Sequence, residues 1–169
     1  GRTATDGQYG YFADRNGWEF VLQDIRKLRT IQGEKHPGIP YFLLGHSMGS
    51  LLARHYLIQW PGTLAGAILS GTLQMASPVL AVGRRFIAWR CKRLGPKGVS
   101  NIVQRLTFGA YNLQFSPNRT AADWISRDEK TVDDYIADPL CQFPISVGLY
   151  CDMLGGMQSI SDKANLRQM

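Results

Sequence analysis

The chain has 169 residues, of which 44% are hydrophobic and 19% charged, a composition that fits one globular domain with a core and excludes a disordered chain. Its apolar runs are short, and none approaches the roughly 20 residues of a membrane-spanning helix. The formal net charge is +6, yet the stretch from Lys35 to Ala122 contains no Asp or Glu at all, so the basic character is concentrated in the middle of the chain.

Three cysteines, Cys91, Cys141 and Cys151, show no CxxC spacing. They argue against a disulfide framework and fit a reducing, cytoplasmic compartment. The chain opens on Gly1 without a charged-then-apolar leader, an opening that points to a missing natural start.

Residues 1–13, "GRTATDGQYGYFA", are aperiodic and predict a loop. Asp14 or Asn16 is positioned to cap a helix in which Trp18, Val21, Leu22, Ile25 and Leu28 recur at three- and four-residue steps, one apolar stripe. "GEKHPGIP" breaks it. "YFLLG" is a short, wholly apolar run, as expected of a strand buried on both faces of a parallel sheet. "SMGSLLARHYLIQW" predicts a helix stopped by Pro61-Gly62, and "LAGAILSG" predicts a second buried strand. The sum is β-α-β with a preceding helix, an α/β pattern.

After Gly71 the pattern turns helical. "SPVLAVGRRFIAWRCKRL", "VSNIVQRLTFGAYN", "EKTVDDYIAD" and "PISVGLYCDMLGGMQSI" predict helices separated by Pro and Gly, with no further parallel strand. The expected organisation is a partial sheet core over 1–71, a helical cap over 72–160, and a return toward the core over 161–169. The densest basic part, "GRRFIAWRCKRLGPKG", interleaves bases with Phe86, Ile87, Trp89 and Leu94. Three readings are open: a solvated basic face, an amphipathic element on an anionic lipid surface, or nucleic-acid binding. No nucleic-acid motif accompanies the patch, so nucleic acid is not expected as a partner.

Between the first strand and its helix lies Gly45-His46-Ser47-Met48-Gly49. A serine in G-x-S-x-G spacing, after a buried strand and at the opening of a helix, has the pattern of a nucleophile elbow. The sharp turn lifts the hydroxyl off the sheet, and bulky neighbours would clash, so Gly45 and Gly49 are both expected on steric grounds. The Met48 N–H then faces the oxygen that turns negative when the hydroxyl attacks a carbonyl carbon. The N-terminal end of the helix dipole favours that charge. The bland alternative is an ordinary glycine-serine turn between strand and helix. His46 is expected as a packed support pointing away from Ser47, not as a base. His55 lies about two helical turns on, too far along the axis, and His36 reads as a surface loop residue.

A serine hydroxyl needs a general base to be a good nucleophile at neutral pH. No histidine follows His55, and the carboxylates after Ser47 begin at Asp123, within the helical region. The chain therefore reads as a nucleophile without its triad, either a fragment lacking both ends of an enzyme or a non-catalytic relative.

"GHSMGSLLARHYLIQWPGTLAGAILSGT" resembles the α/β-hydrolases of the serine aminopeptidase S33 group, in particular the lysophospholipase and monoacylglycerol lipase branch. "WISRDEKTVDDYIADPLC" is similar to that branch's SR…V..Y..DPL pattern, and "GRTA" resembles the residues just after its D.RGHG segment. The resemblance implies a partial α/β-hydrolase fold with a helical cap, covering only the middle of the family's length. It implies Ser47 as nucleophile and the Met48 N–H as one oxyanion donor, with no acid, base or second donor to carry over. It implies hydrolysis of a carboxylic ester of a lipid through an acyl-serine intermediate, with no metal or cofactor. Cap residues Phe86, Trp89, Phe108, Tyr111, Leu149, Tyr150 and Met153 are then candidates to line an acyl channel. The basic stretch would hold the cap on an anionic membrane surface, as a peripheral protein, or attract a phosphate-bearing lysolipid. The alternatives are a peptidase or small-ester esterase of the same fold, or a non-catalytic, membrane-associated binding module.

Overall fold

The structure, a computed structural model, describes residues 8–168 apart from the side chains of Phe108 and Ala110. The "GRTA" opening lies outside the described residues.

The first helix, α1 (Gly17–Lys35), buries Trp18 and Leu22 on the expected stripe, while Val21 and Ile25 pack at its edge. Asn16 occupies the N-cap position, and its carbonyl accepts the Phe20 N–H, but its side chain makes no cap bond. It sits in the left-handed region at φ 55°, a conformation that asparagine tolerates better than most residues. Strand β1 (Phe42–His46) pairs in parallel with β2 (Gly66–Ser70), in a register from Phe42 opposite Gly66 to His46 opposite Ser70. Helix α2 (Met48–Gln59) makes the crossover and packs on both strands.

The expectation that both strands are buried on both faces is corrected. Side chains alternate across a strand. Phe42 and Leu44 of β1 and Ile68 of β2 share one face and are 61%, 65% and 56% exposed. Helix α2 covers only the other face, where Leu43 packs against the core. Among the described residues nothing is layered on the first face.

The helical region follows the expected order. Helix α3 (Ser77–Leu94) is one continuous element. Residues 99–112 break into α4 (Asn101–Gln104), a π-helical turn (Arg105–Gly109) and α5 (Ala110–Asn112), followed by a 3₁₀ turn (Leu113–Phe115). Helix α6 (Glu129–Ala137) is capped by the Asp128 carboxylate on the Thr131 amide. Helix α7 (Val147–Ser159) is capped by the Ser146 hydroxyl on the Leu149 amide. A short α8 (Lys163–Leu166) ends the described chain. Within the described residues no helix is long and apolar enough to cross a membrane.

One hydrophobic cluster joins these parts. Leu51, Leu52 and Tyr56 of α2 meet Trp18 and Leu22 of α1, Leu80 and Ile87 of α3, and Tyr150, Leu154 and Met157 of α7. Helix α7 is the hub, because it packs on α1, α2 and α3. Its approach to α1 depends on Gly156: a Cβ there would overlap the Trp18 ring and lie 2.8 Å from Trp18 Cδ2. Gly156→Ala should therefore overpack the junction and lower stability by about 1–3 kcal/mol, seen as a lower thermal midpoint.

The same junction holds a buried histidine. Trp18 Nε1 donates to His55 Nδ1 at 2.9 Å. That bond fixes Nδ1 as the acceptor, so Nε2 carries the ring proton and faces Ser159 Oγ at 3.3 Å. Burial holds the His55 pKa below its usual value, against a weaker opposing pull from Glu19. A group whose folded pKa is depressed binds fewer protons folded than unfolded, so stability is greatest above the unfolded pKa of about 6.5. It falls as pH drops through 6.5 toward the lower folded value, as Nδ1 gains a proton that the indole N–H cannot accept. Denaturant melts between pH 8 and 5 should show this loss in the wild type, and His55→Gln should flatten it.

Candidate active site

The site lies where β1 ends. Ser47 occupies the single residue between the strand and α2, at φ 51° and ψ −120°. A non-glycine residue with such a positive φ holds about 1–3 kcal/mol of strain and persists only where its surroundings enforce it. Two contacts do so. The Ser47 N–H donates to Ser70 O at the end of β2, 2.9 Å away. The Ser47 carbonyl accepts from the Ser50 N–H at 2.9 Å and from the Ser50 hydroxyl at 2.6 Å. Ser50 is fully buried, so the backbone on either side of Ser47 is anchored while its side chain is exposed.

Gly45 has a plain steric reason. A Cβ at this position would overlap the Gly49 carbonyl oxygen and stand 2.9 Å from Ser50 Cα. The elbow folds α2 back so tightly that its first turn rests on the Cα of Gly45. Gly49 is different, and the expected steric reason for it is corrected. A Cβ there meets nothing within 4 Å among the described residues. What Gly49 brings to the turn is its carbonyl, lying where the side chain of residue 45 would otherwise be.

Met48 opens α2. The first amides of a helix have no intrahelical acceptor, so the Met48 N–H is available to an oxyanion beside Ser47. Its half-buried side chain packs on the core. His46 is not a packed support, since its ring is exposed. Its Nδ1 lies 3.0 Å from Ser70 Oγ, and the ring stands over Gly71, 3.2 Å from where a Cβ there would be. His46 therefore ties the two strand ends together and does not reach Ser47.

Ser70 is the residue that reading the sequence missed. It holds Ser47 through its carbonyl and His46 through its hydroxyl. The signal was present in the equal lengths of the two strands, which put the end of "AILS" beside the end of "LLGH". His55 lies in the core against Trp18, as its spacing along α2 requires. Among the described residues no histidine or carboxylate is hydrogen-bonded to the Ser47 hydroxyl.

The seven cap candidates separate. Leu149 and Tyr150 are 6% and 3% exposed, and the Tyr150 hydroxyl pairs with Thr107 Oγ1 at 3.0 Å. Met153 packs against the same cluster. Tyr150 and Met153 thus pack into the junction where α7 meets α1, α2 and α3, and Leu149 is buried outside that cluster. Phe86 is half-buried and lies 6.0 Å from the exposed ring of Trp89. Tyr111 is exposed and stacks on Trp124 at 5.3 Å. The side chain of Phe108 lies outside the described residues.

Over residues 1–169 the sequence matches the family described as serine aminopeptidase, S33. It is 30% identical over 142 residues to the monoglyceride lipase of Homo sapiens, covering 83% of this chain and 41% of that protein. It is 30% identical over 151 residues to the monoacylglycerol lipase of Mycolicibacterium smegmatis, covering 86% and 46%. Among solved structures, a highly thermostable carboxyl esterase from Bacillus coagulans, in complex with glycerol, matches with a TM-score of 0.71 at 30% identity, over 85% of this chain and 46% of that one. The monoacylglycerol lipase of Paleococcus ferrophilus matches with a TM-score of 0.50 at 21% identity, over 85% and 48%, a likeness of fold alone. The chain spans less than half the length of each of these relatives. With β-α-β pairing around the strained serine, a helical region after the second strand, and a family match along its whole length, the chain belongs to the serine aminopeptidase S33 family and has part of an α/β-hydrolase fold.

Proposed function

We propose that this chain carries the nucleophile of a serine hydrolase acting on carboxylic esters of lipids, of the monoacylglycerol or lysophospholipid type. The observation that carries the proposal is Ser47 itself, an exposed residue on a backbone strained to φ 51° at a strand–helix turn. In the reaction Ser47 Oγ attacks the ester carbonyl carbon as its proton passes to a base. The Met48 N–H stabilises the oxyanion, and the carbon–oxygen bond to the alcohol breaks as the alcohol leaves with a proton. Water then attacks the acyl-serine and releases the fatty acid. The base, the acid that orients it and the second oxyanion donor are assigned to no residue of this chain. The division into a core over 1–71 and a cap over 72–160 belongs to the same proposal, with Phe86, Trp89 and Tyr111 as the accessible cap residues nearest to an acyl-binding role.

The lipid reading draws on relatives named as monoglyceride and monoacylglycerol lipases. A small-ester esterase is the second reading, favoured by the match to a carboxyl esterase. The test is a panel assayed with the natural full-length protein: monoacylglycerols, lysophospholipids, short-chain esters and aminoacyl amides. Preference for the long-chain glycerol esters is expected. Turnover confined to short esters would replace the lipid reading, and turnover of the amides alone would make the protein a peptidase.

A further inference from the structure

Residues 71–76 lead from β2 into α3. Among the described residues none of their amides donates to another backbone group, so the segment has no ladder to hold it. Met75 packs on the core, and Arg54 fixes its neighbours. Arg54 follows Ser47 by about two helical turns, on the same face of α2. Its Nη1 donates to Leu73 O at 3.1 Å, and its Nη2 donates to Gln74 Oε1 at 2.9 Å. The Gln74 amide works in both directions, because its Nε2 donates to Ser161 Oγ at 3.2 Å. Ser161 stands just past the end of α7, and its own hydroxyl donates to Met157 O at 2.7 Å. Gln74 and Ser161 are 87 positions apart in the chain, so one side-chain amide joins the start of the helical region to its end and both to α2.

The junction adjoins the candidate active site. The lead-in starts one residue after Ser70, whose carbonyl holds the Ser47 amide. Helix α3 packs on α7, and its start is set against α2 through Arg54 and Gln74. A single exposed hydrogen bond contributes little once side-chain freedom is lost, but these bonds converge on one point where the chain has no other backbone support. A long-chain ester must place its carbonyl at Ser47 and its chain against α3, which carries Phe86 and Trp89, so its binding depends on the distance between the two. A short ester uses Ser47 alone. We propose that Arg54, Gln74 and Ser161 are positioning residues, a clasp that fixes α3 relative to Ser47 and thereby favours long-chain esters. The proposal rests on the reading of the protein as a lipid-ester hydrolase with an acyl-binding helical region.

The test is Gln74→Ala in the natural full-length protein, read by hydrogen exchange and by kinetics. Gln74 is exposed, so the variant should fold. The Leu80 amide at the start of α3 and the Ser161 amide, which donate to Ala76 O and Gln158 O, should exchange on the order of tenfold faster, the scale of the two hydrogen bonds lost. The amides of Val147 and Gly148, held by Gly98 O and Pro96 O at the other end of α7, should not change. On long-chain monoacylglycerols KM should rise on the order of tenfold with kcat little altered, the mark of binding lost equally in ground and transition states. Turnover of short-chain esters and labelling by a fluorophosphonate probe should stay at the wild-type level. Gln74→Glu keeps an acceptor for Arg54 but has no donor for Ser161, so it should move both readouts the same way and by less. General damage to the fold would instead lower activity on long and short esters together. Unchanged exchange at Leu80 and Ser161, or an equal loss on both classes of ester, overturns the proposal in an enzyme that is otherwise active. A wild type that the probe does not label and that turns over no ester overturns the hydrolase reading and the selectivity with it, whatever the exchange rates show.

Discussion

Ser47→Ala should lower kcat on lipid esters by about 10⁶-fold, the scale on which loss of a serine nucleophile is felt when the rest of its catalytic unit remains. The same substitution should abolish labelling by a fluorophosphonate probe. Structural damage would be a poor explanation for either loss. The side chain is exposed, no hydrogen bond holds its hydroxyl among the described residues, and alanine retains the Cβ and hence the same backbone strain. Ser47→Gly separates the two roles of the site further. Glycine adopts φ 51° without penalty, so this variant should be as inactive as the alanine one but more stable, by about 1 kcal/mol. That gain corresponds to a rise of about 2–4 °C in thermal midpoint. A site that stores strain for chemistry gives this opposite movement of activity and stability. Two outcomes would remove Ser47 from the nucleophile role: a wild type that the probe fails to label, or equal labelling of wild type and Ser47→Ala.

Much of the fold was legible because its signals are periodic or punctuated. The stripe predicted from Trp18 to Leu28, which is packed as far as Ile25 while Leu28 stands exposed, the apolar runs of β1 and β2 and the stop at Pro61-Gly62 each express a local rule, and each element formed close to its expected span. What was not legible depends on partners distant in sequence. The hydropathy of "YFLLG" states that the strand favours burial, but not whether anything covers each face, and Phe42 and Leu44 stand exposed. Leu149, Tyr150 and Met153 have the right chemistry for an acyl channel. Only the packing of α7 against three other helices shows that Tyr150 and Met153 sit against the core. Within the site, the spacing of Gly45, Ser47 and Gly49 was enough to name the turn. It could not distinguish the two glycines: a side chain at 45 would run into the backbone of Gly49 and Ser50, while one at 49 would meet open space among the described residues.

That difference predicts unequal consequences for two chemically identical substitutions. Gly45→Ala puts a methyl group into the backbone of Gly49 and Ser50, with Ser50 Cα at 2.9 Å. No flexible side chain is there to move aside, so strand and helix must separate. The cost should lie near the top of the overpacking range, about 3 kcal/mol, seen as a lower thermal midpoint. Any shift at this joint also moves the Ser47 hydroxyl relative to the Met48 N–H. A displacement of about 1 Å in a reacting group costs about 100-fold in rate, so labelling should slow even in the molecules that fold. Gly49→Ala adds its methyl to open space in the first turn of α2, where alanine is the better helix former by up to about 1 kcal/mol. It should be neutral or slightly stabilising, with little change in labelling rate. Thermal melts and probe-labelling rates of the two variants, measured side by side in the full-length protein, decide the matter. If Gly49→Ala proves as damaging as Gly45→Ala, the elbow is held by something other than the contact between Gly45 and the first turn of α2.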